Sequence, residues 1–356
     1  MANTLTYGFV GLEHLWNERV TVVGEKVVYD AIAESAAEHT RQMDALMASF
    51  VEKVTEHQIK FLLPGAGTLQ PLDEYGNPRV TRPAGSYQVA FPIQGGGDAW
   101  GANRVTRALM TVQEANRHTY DALRRDADWM SRHIRAAVLD NTTWVYDDPA
   151  FGNLTIQPLA NGDAVTYVRT GGAIAVDNHY LAQADAISDA HNPFDDIYTE
   201  LMEHPSNTGP VVAYVPSNLT TTIEALTNFV AVGDPDIAYG ISSDQLNTAA
   251  DAVRGFGDEV LGKTDRVWIV EWKALPDNYM IAHALGAGAV LGMREYEASQ
   301  LQGFFPEEFN VDGNLQGMRM LRYAGFGVLN RVAALVYRIG NAAYAIPSGY
   351  TNPLAV

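Results

Sequence analysis

The chain has no cysteine, so it forms no disulfide, carries no thiol nucleophile and builds no thiolate metal site. It also lacks an uninterrupted apolar run of membrane-spanning length. The nearest candidate, Tyr279 to Met293, contains His283 and is followed by Arg294 and Glu295. It reads as a buried, glycine-punctuated helix, not a membrane span. The opening MANTLTYGFVGLEHLW has no basic segment followed by an apolar run, and Ala2 stands where myristoylation needs glycine. Neither a signal peptide nor lipidation is expected. Positive charge is scarce: 24 Lys and Arg oppose 42 Asp and Glu, for a formal charge of −18. Between Arg169 and Arg254 there is no Lys or Arg at all, while twelve acids occur there. A surface that grips nucleic acid is excluded from that stretch, because phosphate binding needs cations. It reads as an acidic solvated face.

Catalytic signatures are missing too. There is no GxSxG, HExxH, P-loop or strand-following GxGxxG. GGGDAWG at 95–101 has no Lys or Ser/Thr to complete a phosphate loop and reads as a flexible turn. GAGAVLG at 286–292 reads as close helix packing. His179 and His191 lie near Asp177, Asp185, Asp189, Asp195 and Asp196, but their spacing fits no EF-hand, and the group reads as a solvated acidic loop. Asp234 and Asp236 flank Pro235 in a turn. No cofactor is expected.

What the sequence does contain is long periodic segments. With 47% hydrophobic residues over 356 positions, one large core or two to three smaller ones are within reach. Residues 1–24 read as irregular, anchored by Leu12, Leu15, Trp16 and Val20. A helix is expected from Val27 to Glu56, and a longer one from Asn103 to Val138. The second has an apolar stripe through Leu109, Val112, Leu123, Met130 and Ile134. Its remaining surface carries Arg107, Arg117, Arg124, Arg125, Arg132 and Arg135. That surface suits either packaged nucleic acid or pairing with neighbouring acids. Between the two helices, residues 61–101 hold five Pro and eight Gly around short alternating strands. This reads as an extended hairpin, either leaving the body or folded back on its own core. In the first case Tyr87, Val89, Phe91 and Ile93 would need a partner surface, as would Trp100 at its end. Further on, strands are expected at Thr142–Tyr146, Ala164–Arg169, Val211–Val215 and 267–272. Helices are expected near Asp195–Met202 (capped by Asn192 or Asp195, with Pro193 at its start), Leu219–Phe229, Asp244–Val253 and 279–289. Trp268 and Trp272 share a strand face suited to core or interface packing. The tail returns to β structure, with Gly325 and Gly327 marking a bulge or close packing.

This order of elements, with MLRYAGFGVLNRVAALVYR at 320–338, VWIVEWKALPDNYMIAHALG at 267–286 and VVAYVPSNL at 211–219, resembles the major capsid proteins of tailed double-stranded DNA bacteriophages. The resemblance implies an α+β, Hong Kong 97-like capsid fold. Residues 1–59 would be an N-terminal arm and helix, and 60–101 the extended loop. Residues 102–203 would form a peripheral domain with the spine helix, 204–300 an axial domain, and 301–356 the return to the peripheral domain. It implies a structural, non-enzymatic subunit that assembles with many copies of itself into pentamers and hexamers of an icosahedral shell. That shell would enclose DNA contacted without sequence specificity, in a virion assembled in the host cytoplasm, with no membrane contact. Portal, decoration and a separate scaffolding protein are the implied partners. The loop carries no Lys after Lys60, so an isopeptide crosslink from it is not expected. The runner-up is an encapsulin-type shell, and after it an acidic α/β enzyme.

Overall fold

The computed structural model describes residues 4–63, 69–78, 85–103, 108–162, 164–232, 254–311 and 315–354. The helix expected at Asp244–Val253 and the Asp234–Asp236 turn lie outside them. The chain divides into two compact units.

The first unit holds residues 1–46, 93–133 and 294–325. Its N-terminal segment is not irregular: Tyr7–Leu15 forms a 3-10 helix, followed by the short α1, Val20–Val23. Phe9 is fully buried, and Leu12, Trp16 and Val20 pack around it. The segment is held by polar pairing as well. Thr6 donates its backbone N–H and its hydroxyl to Asn116 Oδ1, at 3.0 and 2.8 Å. Helix α2, Glu25–Met47, ends nine residues earlier than its periodicity suggests. In the second unit Phe50 turns its carbonyl to Val290 and Leu291, and β1 (Val51–Val54) lies beside β15 (Leu291–Arg294). Sheet pairing here overrides the helical spacing.

The long helix α3 spans Val112–Leu139, 28 residues or roughly 42 Å at the α-helical rise. Its residues through His133 belong to the first unit and those from Ile134 to the second. It starts nine residues later than expected because Thr111 and Glu114 form a capping box. The Thr111 N–H donates to Glu114 Oε2 at 2.9 Å, and the Glu114 N–H to Thr111 Oγ1 at 3.3 Å. The segment before it is strand: β4, Gln94–Asn103, pairs along its whole length with β17, Leu315–Val328. GGGDAWG is therefore not a flexible turn. Gly96 lies against the Trp129 ring, where a Cβ would come within 3.0 Å. On the other side of β17 lies β16, Phe304–Val311.

The second unit is built on a seven-stranded sheet in the order β11-β12-β13-β10-β14-β18-β9. These strands are Phe229–Ala231, Glu259–Thr264, Val267–Glu271, Val211–Val215, Tyr279–Ala284, Ala334–Ile339 and Tyr180–Gln183 respectively. β10 runs parallel to β13, and β14 is antiparallel to both its neighbours. All six residues of β14 are buried, as are all five of β10. The helix expected over 279–289 is thus a central strand and a short 3-10 turn. A strand covered on both faces needs no alternation, and its Ala-rich composition imitates a helix. Gly286 follows it because a Cβ there would lie 2.3 Å from the Thr208 carbonyl oxygen. Helix α4, Pro193–Met202, opens where Asn192 accepts from the Phe194 N–H, and it buries Phe194, Ile197 and Leu201 on the sheet. Helix α5, Ser217–Glu224, adds Leu219 and Ile223 to the same core. Fully burying each such side chain contributes about 1.5–3 kcal/mol.

Smaller antiparallel pairs complete this unit: β2 (Gln58–Leu63) with β3 (Gly85–Ala90), β5 (Trp144–Asp148) with β6 (Gly152–Ile156), and β7 (Thr166–Val168) with β8 (Ile174–Val176). Gly327 marks close packing, as expected: a Cβ would meet the Ala90 carbonyl at 2.5 Å and the Phe91 ring at 2.7 Å.

Candidate functional site

Three surfaces carry unusual chemistry. The first is the β2–β3 hairpin. Its base is core: Val89 and Phe91 are buried, with Phe91 against Gly292 and Gly327. Ile93, just beyond, is also buried. Tyr87 stacks on Phe61 across the pair, with ring centroids 5.3 Å apart. The apolar groups open to solvent lie further out: Leu62 (68% exposed), Leu69 (99%), Leu72 (64%) and Tyr75 (81%). Asp73 shapes this outer turn by accepting from the Tyr75 and Asn77 N–H groups, which hold its carboxyl below the usual range. Of the four hairpin residues expected to need a partner, Val89, Phe91 and Ile93 are covered by the chain itself and Tyr87 is partly buried, because alternation marks strands but does not say which face the chain covers itself. Trp100 sits in β4, stacked on His118 at 5.7 Å and half-buried in the first unit's core. Trp268 is partly buried in β13. Trp272 is buried between Phe256 and Tyr214.

The second surface is the outer face of α3. Arg117, Arg124, Arg125 and Arg132 are exposed on it, interleaved with Glu114, Asp121 and Asp128. Arg125 pairs with Asp98 at 2.5 Å. Arg117 and Arg124 make no ion pair among the described residues. Arg135 does not belong to this face. It donates to the Ala274 carbonyl and the Tyr350 hydroxyl and lies over the Trp272 ring. Arg107 lies outside the described residues.

The third is a carboxylate–histidine cluster in the second unit. Glu200, Glu203 and His204 follow one another at helical spacing at the end of α4, and Asp177 enters from the residue after β8. His204 Nε2 lies 2.7 Å from Asp177 Oδ2, and its Nδ1 lies 3.2 Å from the Val168 carbonyl. Arg169 reaches Glu203 at 3.0 Å and Asp177 at 3.4 Å. Burial and the neighbouring Asp177 charge push Glu200 up to about 7. Burial opposes charge on His204, but its bond to Asp177 wins and raises it. Burial, reinforced by the Arg331 charge, takes His179 down to about 3. Asp177, Glu203 and His204 place ligand-type atoms within 4.8 Å of one another. The Arg169 guanidinium already supplies positive charge there, so the arrangement is an ion-pair network and we assign it no metal. Asp185 and His191 approach each other at 3.6 Å elsewhere, and Asp189 caps Thr227. The histidine–aspartate loop expected from sequence is therefore split. Only Asp177 and His179 join the cluster, and the 200/203/204 spacing was the overlooked signal.

No helix among the described residues is long and apolar enough to cross a membrane.

No protein-family model matches the chain, and no curated protein matches it. Solved structures do. A chain from Mycobacterium phage Patience superimposes with a TM-score of 0.63 at 20% identity, over 92% of this chain and 91% of that one. A chain from the asymmetric unit of the mature capsid of bacteriophage PhiM1 does so with a TM-score of 0.50 at 9% identity, over 84% and 87%. The exposed hairpin, the long helix, the seven-stranded sheet and these superpositions agree: the chain has the Hong Kong 97-like fold of tailed-phage capsid structures.

Proposed function

We propose that this chain is a major capsid protein, a structural subunit whose copies close into an icosahedral shell around double-stranded DNA. The observation that carries the reading is a fold shared over 92% of the chain with a chain from Mycobacterium phage Patience and over 84% with one from the mature capsid of bacteriophage PhiM1. The hairpin supports it. Leu62, Leu69, Leu72 and Tyr75 present large apolar side chains on an extension. Large apolar side chains held this open to solvent are a liability for a chain that stays alone and suit a contact with a second copy. Each such contact is modest, and repetition around a closed shell multiplies it. In this reading the region 204–300 gathers around the ring axes. The exposed arginines of α3 face the packaged DNA and contact phosphates without reading sequence. A scaffolding protein, a portal and decoration proteins are the partners such a shell calls for.

Replacing Leu69, Leu72 and Tyr75 together by Ser tests the hairpin's role. All three side chains are exposed, so the circular dichroism spectrum and melting profile of the subunit are expected to stay unchanged. Closed particles seen by negative-stain electron microscopy are expected to disappear. Shells of normal size and yield from the triple variant would contradict the role given to the hairpin.

A further inference from the structure

We propose that the β7–β8 hairpin is latched to the end of helix α4 by a proton held in the His204 cluster, so that the hairpin is fastened near neutral pH and released as the solution becomes alkaline. The geometry carries the argument. His204 is 3% exposed, and both of its ring nitrogens face acceptors. The Val168 carbonyl on β7 can only accept, and so can the Asp177 carboxylate beyond β8. Only the doubly protonated ring donates to both, and in doing so it ties the two strands of the hairpin to the segment just after α4. The turn is fastened at the same place: the Thr170 N–H and hydroxyl both donate to the Glu203 carbonyl, at 2.6 and 2.9 Å. Beyond this anchorage the hairpin exposes Ile174 and Val176 to solvent.

The charged groups around the ring come from each element packed on it. Asp177, Glu200 and Glu203 supply carboxyls, Arg169 on the hairpin turn supplies a guanidinium, and Arg331 and His179 lie behind. Burial and the neighbouring Asp177 charge favour the protonated form of Glu200. The signs are as follows. His204 is raised above its ordinary value, so its contribution is complete below that value and is lost as pH rises through the folded one. Glu200, raised to about 7, acts in the same direction, losing its contribution between its ordinary value and about 7. His179 acts oppositely, adding stability as pH rises from about 3 to its ordinary 6.5, and adds nothing further above it. Asp177, held low, is already ionised throughout this range. Above neutrality the two losses therefore stand unopposed.

The test is hydrogen exchange of the full chain between about pH 6 and about pH 8.5, with each amide corrected for its intrinsic rate. Protection of residues 166–176, the Thr170 amide above all, is expected to fall by up to about tenfold per pH unit for each linked proton. Strands β10 and β14 are expected to keep theirs. His204→Gln is expected to remove most of that pH dependence, and Glu200→Gln the part nearest neutrality. Hairpin protection that stays parallel to β10 and β14 at every pH would overturn the proposal, and so would an unchanged pH slope in His204→Gln. Should that variant fail to fold, the wild-type His204 imidazole resonance decides. A midpoint above the ordinary 6.5 supports the latch, and one below it overturns the latch.

Discussion

Asp126→Ala is expected to destabilise the first unit by about 3–5 kcal/mol, the range for removing one partner of a buried ion pair. Asp126 lies on α3 with its side chain 2% exposed, facing Arg322 on β17 at 1%. The guanidinium donates through Nε to Oδ1 at 2.6 Å and through Nη2 to Oδ2 at 2.8 Å, a bidentate pairing. His39 on α2 completes the group, its Nε2 2.9 Å from Oδ2. Three elements of the unit's core thus meet on one carboxylate. Without it Arg322 stays charged, because guanidinium does not give up its proton inside a protein, and is left over the Phe304 ring at 5.8 Å without its carboxylate. Asp126→Asn keeps the volume and part of the bonding and is expected to fall between wild type and Ala. Burial pushes Asp126 upward, but the bonds to His39 and Arg322 prevail and hold it below the ordinary 3.8. Its contribution is therefore present above that value and lost as pH falls through the folded one, which makes the group acid-labile. Urea titration, with hydrogen exchange in α2 and β17 to locate the loss, measures both effects. An unchanged midpoint for Asp126→Ala would refute the role given to the triad.

Arg331→Met is expected to cost the second unit a comparable amount, about 3–5 kcal/mol, from carbonyls left without donors at about 1–3 kcal/mol each. Arg331 is 3% exposed. It gathers the turn that follows β6: Nη1 donates to the Pro158 carbonyl at 2.8 Å, and Nη2 donates to the Leu159 carbonyl at 3.1 Å and to that of Asn161. Methionine fills the space and leaves those carbonyls buried and unpaired. Lysine restores the charge but not the planar fork, so Arg331→Lys is expected to recover only part of the loss. A second readout separates charge from packing. The Arg331 charge helps hold His179 down, so His179 is expected to titrate closer to its ordinary 6.5 in the Met variant and to stay low in the Lys variant. Equal melting temperatures for wild type and Arg331→Met would contradict the account of this turn.

What could be read from the residues was what local physics decides. Asn192 before Pro193 caps α4 as its spacing implies. The VWIVEW strand also fell where its pattern put it, and from Val112 onward the expected long helix is helix. The misreadings share a cause. Tyr279–Ala284 carries no alternation because the sheet covers both its faces, and its small residues, chosen for tight packing, look helical. Val51–Val54 continues a helical spacing but is drawn into a sheet by partners some 240 residues away. The true start of α3 was visible as the Thr111–Glu114 capping box, masked by an apolar stripe that runs on upstream through Leu109. The sites were less legible. The Asp126–Arg322 pair spans 196 positions, and His204 meets Asp177 from 27 positions away. Such pairs exist only after the chain has folded. On the hairpin, Val89 and Phe91 are buried, and the solvent-facing apolar residues are Leu62, Leu69, Leu72 and Tyr75.

The central claim is that copies of this chain close into a shell. Expressing the full chain together with its neighbouring genes and imaging the product by negative-stain electron microscopy tests it most directly. The account predicts closed polyhedral particles tens of nanometres across, with this chain as their principal component. Finding the folded chain only as monomers or dimers under those conditions would contradict it.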